Sequence, residues 1–123
     1  MKLLENIESE ALESLAGIAA EAELAAAAGD VPLGDPRFYQ WLRAVACGHL
    51  ARRAGAPAKP EPPFPTLSVQ DLAACGFALS GMLAAEAEKN DSLAAPLGRV
   101  YLALADGIEL MVRETDSEGQ TVH

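Results

Sequence analysis

The sequence predicts an all-α fold, a single four-helix-bundle-like domain with a proline-rich linker between its second and third helices. Three observations point there. Apolar residues recur at spacings of three and four in four separate stretches, each stretch carries helix start or stop signals, and no segment alternates with the period of a strand. A length of 123 residues fits one domain. Residues 1–114 are assigned to it, and 115–123, which lack periodicity, are expected to form a disordered tail.

The first helix is expected over about 3–28. Leu4, Ile7, Ala11, Leu15, Ile18, Ala22 and Ala25 fall on one stripe, Glu5, Glu13 and Glu23 lie off it, and Gly29-Asp30 supplies the stop. The second, over 36–54, follows the Val31-Pro-Leu-Gly34 connector and starts at Asp35-Pro36, a capping residue followed by proline at the first helical position. Phe38, Leu42, Val45 and His49 make its inward row, and Gly55 closes it after Arg52 and Arg53. Residues 55–65 hold five prolines and read as an extended linker, pinned to the bundle by Phe64.

Ser68-Val-Gln-Asp71 has the pattern of a cap for a third helix over 69–89. Leu72, Gly76, Leu79 and Leu83 form one apolar stripe of that helix, while Ala74, Ala78, Gly81 and Ala85 keep the other side small and uncharged. Three neighbours seldom enclose a fourth helix, so those four small residues are assigned to self-association, and a homodimer is expected. Asn90-Asp91-Ser92 caps a fourth helix over 93–114 with Pro96 in its first turn. Its core stripe is Leu97, Tyr101, Leu104, Ile108, Met111 and Val112, and Glu109 and Arg113 are spaced for a surface pair.

Half of the residues are apolar, but 25 are alanine against 29 Leu, Ile, Val and Met together, so burial per residue is modest. The net charge of −9 disfavours direct nucleic-acid binding and anionic membranes. Its distribution is uneven: residues 1–35 carry −7, residues 36–59 carry +5 with no acid, and the remainder is again acidic. The start of the chain lacks the basic-then-apolar pattern of a secretory signal, and the longest uncharged helical run, Leu72 to Ala85, falls short of the roughly 20 residues of a membrane span. A cytoplasmic location is expected, with Cys47 and Cys75 as reduced thiols.

No metal or cofactor is expected. Cys47 and His49, two residues apart, sit about 200° apart on a helix, and no glycine-rich phosphate loop is present. Leu72-Ala-Ala-Cys-Gly76 resembles the turn of a helix-turn-helix motif, yet the helix after it carries no base until Lys89. Arg43 and His49, with five residues between them, resemble the Arg-x(4–6)-His signature of HEPN-type ribonucleases, themselves all-α bundles. That resemblance implies RNA cleavage, with Arg43 as the electrostatic group and His49 as the acid-base group, across a dimer. Acidic surfaces of the first, third and fourth helices admit another reading, mimicry of nucleic acid.

Neither alternative is the main expectation, because His49 points with the core row and Arg37-Phe-Tyr-Gln-Trp-Leu-Arg43 gathers the residue types that anchor protein interfaces. Arg37, Tyr39, Trp41 and Arg43 are therefore assigned as partner-binding residues. The expected function is a small, acidic, non-enzymatic interaction module, an adaptor, inhibitor or antitoxin-like factor that binds another protein through its second helix.

Overall fold

The structure, a computed structural model, describes residues 4–29, 33–57 and 59–121, with side chains as far as Leu110. It is all-α: helices α1 (Ser9–Ala27), α2 (Pro36–Arg53), α3 (Val69–Lys89) and α4 (Ala94–Thr121) follow in order, with a 3-10 turn, Asp91–Leu93, leading into α4. No strand occurs among the described residues. Leu3, Asp30, Val31 and Pro32, the side chains of Met111, Val112 and Arg113, and Val122 and His123 lie outside that description.

The α1 and α2 helices form one closely packed antiparallel hairpin, and α3 and α4 form a second, looser one laid against it. Between them runs one core that includes Leu12, Leu15, Phe38, Leu42, Leu79 and Leu104. Burying a side chain of that size contributes about 1.5–3 kcal/mol. The inward row Phe38, Leu42, Val45 and His49 of α2 is buried as its spacing predicts. Asp35 accepts a hydrogen bond from the Arg37 amide at 2.9 Å, which caps α2. At the other end Gly55, at φ +97°, donates to Arg52 O while Ala56 donates to Ala51 O, the paired bonds of a Schellman ending.

Helix α1 begins later than the spacing predicts. Leu4 and Ile7 are buried, but they precede the helix, and Glu8 is its extended N-cap. The cause is Arg53 at the end of α2. Its guanidinium donates to Leu4 O at 3.2 Å, Glu5 O at 2.9 Å and Ser9 Oγ at 3.0 Å, taking carbonyls that a continuous helix would use internally. The buried stripe of α1 is also turned, onto Leu12, Leu15, Ala19, Ala22 and Ala26, so that Ile18 and Ala25 are only half-buried.

Helix α3 has the predicted bounds, with Ser68 Oγ accepting from the Asp71 amide at 3.0 Å. Cys75 joins Leu79 and Leu83 in its buried row, and Gly76 is only half-buried. Helix α4 continues to Thr121, through the stretch 115–121 that the sequence reading leaves as a disordered tail. Tyr101 is turned partly outward, and Val100 takes its place in the core.

Candidate functional site

The aromatic and basic residues of α2 are used internally. Tyr39 is fully buried, donates its hydroxyl to Leu33 O at 2.5 Å and meets Phe38 edge-on at 5.3 Å. Burial pushes its phenol well above the ordinary value. Trp41, 4% exposed, donates its indole N–H to Pro62 O at 3.2 Å and packs against Phe64 at 4.8 Å, edge to face. Neither is a surface anchor, which corrects their assignment as partner-binding residues. Helix α2 packs against α1 on one side. The loop at Leu33 and the linker at Pro62 and Phe64 cover a second side.

Arg37 and Arg43 do reach solvent, and each is held within the chain. Arg37 pairs with Asp35 at 2.8 Å and donates to Thr66 O at 3.1 Å, so that the hydrogen bond from Arg37 holds the Asp35 carboxyl below its usual value. Arg43 pairs with Glu23 of α1 at 2.9 Å. Arg53 clamps the turn before α1, and Arg52 lies 3.1 Å from His49 Nδ1. The base-rich stretch 36–59 thus neutralises the acidic first segment from inside the molecule.

Arg43 and His49 are not brought together. Six residues along a helix place them roughly 120° apart in rotation and about 9 Å apart along the axis. Arg43 holds Glu23 on the α1 side, and His49 is buried at the foot of a cleft of about 510 Å³ between α2 and the linker. That cleft mixes charges of both signs, with Arg52 and Lys59 against Glu5 and Glu61. Cys47 lines it as an exposed thiol, on a different side of α2 from His49. Among the described residues no group of three or more His, Cys, Asp or Glu side chains could hold a metal ion.

The outward face of α3 is different in kind. Ala73, Phe77, Gly81 and Ala84 point away from the core, and Phe77 is 85% exposed at the middle of the helix. Of the residues assigned to self-association, Gly81 and Ala85 are exposed, whereas Ala74 and Ala78 are half-buried. The accessible strip is therefore rotated from the predicted one toward Phe77, which the sequence reading left off both apolar stripes. Phe77 sits about 200° from Cys75 around the helix, so its outward position follows once Cys75 is known to be in the core. Between Leu72 and Ala85 there is no charge, and the strip ends at Gln70 on one side and Glu88 on the other.

No helix among the described residues is long and apolar enough to cross a membrane, so an exposed phenylalanine here is not part of a span. No protein-family model matches the chain, and comparison with curated proteins and with solved structures finds no match.

Proposed function

We propose that this chain is a small, acidic, non-enzymatic protein-interaction module whose binding face is the outer side of α3 rather than α2. The observation that carries the reading is Phe77, 85% exposed on a helix face with no charged neighbour between Leu72 and Ala85. Large aromatic side chains supply much of the energy of protein interfaces, and a contiguous apolar patch on an otherwise acidic surface marks a contact site. Around it Ala73, Gly81 and Ala84 hold the backbone open to close approach. The α2 aromatics, in contrast, hold the linker and loop in place.

A photo-crosslinking amino acid at position 77, compared with one at Leu102, tests this in the native cell. Leu102 is 63% exposed on α4 and projects among Asp106 and Glu109. Position 77 is expected to give discrete protein adducts that position 102 does not. Equal yields from both positions, or none from position 77, would overturn the reading.

A further inference from the structure

We infer that the outer face of α3 binds a second copy of this chain, the two helices crossing antiparallel about a two-fold axis near residue 79. The inference rests on the interaction-module reading above and names its partner. It comes from the order of side chains along the strip. In an antiparallel pair centred at residue 79, position i lies level with position 158 − i of the other copy and faces it where both sit near the middle line of the strip. Phe77 then meets Gly81 near the middle line of the strip, so that the large group of each copy lies over the residue of the other that has no side chain, and Ala73, Ala74, Ala84 and Ala85 flank that contact with small groups. A Cβ built at Gly81 meets nothing within 4 Å, and the hollow above it is open to receive a ring. A two-fold contact must be complementary to itself, and this strip is.

The ends of the strip agree with the same register. Gln70 faces Glu88 of the other copy, an amide donor opposite a carboxylate acceptor. Asp71 and Lys89, eighteen residues or five turns apart, share one edge of the helix, and in an antiparallel pair like edges meet. Asp71 of each copy therefore approaches Lys89 of the other, two ion pairs that offset the repulsion between chains of charge −9. A parallel arrangement would set Phe77 against Phe77. One helix face from each copy is a small interface, and a dissociation constant on the order of 1–100 µM is expected.

Sedimentation over about 5–500 µM should show a reversible monomer-dimer equilibrium. Phe77→Ser and Gly81→Leu should each remain monomeric at the top of that range with helical circular dichroism unchanged, because neither position contacts the core of its own chain. Register is read in a Cys47→Ser background, with Cys75 buried. Gln70→Cys with Glu88→Cys should give a disulfide-linked dimer under mild oxidation, and Gln70→Cys alone should not. A wild type monomeric throughout, or variants that still dimerise, would overturn the inference, as would a dimer linked through Gln70→Cys alone. Adducts from position 77 to a different protein, with the wild type monomeric, would leave the interaction-module reading standing while removing the second copy.

Discussion

At the scale of the residue, Trp41 decides which surface α2 offers. Its indole closes the seam between α2 and the linker by a hydrogen bond to Pro62 O and edge-on contact with Phe64. Trp41→Ala would remove that contact and leave a cavity, a loss of about 3–5 kcal/mol for a residue of this kind. Urea denaturation followed by circular dichroism should show the midpoint collapse, where a surface anchor would have left it unchanged. Tyr, Trp and Arg in one heptad are read in a sequence as an interface, because those types anchor interfaces. The same types close seams inside a molecule, and only the positions of Leu33 and Pro62 tell the two uses apart. Residues far along the chain supply that information, so the assignment of Tyr39 and Trp41 fails where that of Phe38 and Leu42 holds.

Elements were legible where their signals are local. The start of α3 follows from Ser68 and Asp71, which lie within one turn of each other, and the start of α2 follows from Asp35 and Pro36. The start of α1 was not legible, since Arg53 withdraws the carbonyls of Leu4 and Glu5 from 49 and 48 residues away. Between α1 and α2, Gly34 lets the connector pass close under α3. It has φ +82°, and a Cβ there would sit 2.6 Å from Cys75 Sγ and 3.0 Å from Asp71 O. Gly34→Ala is therefore expected to cost at least about 1 kcal/mol from the backbone conformation alone. Gly81→Ala, in open space on a helix, should be neutral or stabilising by roughly 0.5–1 kcal/mol when compared at concentrations where the chain is monomeric. Thermal melts of the two variants side by side make the comparison.

For the whole molecule, arginines at the surface tie acidic side chains to neighbouring segments of the same chain. Arg99 of α4 holds Glu8 at the start of α1, at 2.5 and 2.6 Å, and its hydrogen bond keeps the Glu8 carboxyl below the ordinary value. Asp35 is lowered by Arg37 in the same sense. A carboxyl whose pKa is lower in the folded chain contributes stability at neutral pH, and that contribution is lost as pH falls through the folded value. The urea midpoint should therefore hold between about pH 7 and 5 and decline below about pH 4. Glu8→Gln with Asp35→Asn should flatten the decline, and a midpoint unchanged by acid in the wild type would show that these pairs add nothing.

The grip of Arg53 also bears on the order in which the chain becomes a protein. Leu4 leaves the ribosome 49 residues ahead of the arginine that fixes its carbonyl, an interval of about 2–10 s at ~5–20 residues per second. Through that interval Leu4 and Glu5 lack that anchor, and α1 must wait for the last turn of α2 before its beginning is defined. The amino end of this domain, though first to be synthesised, is fixed only after the whole first hairpin has emerged.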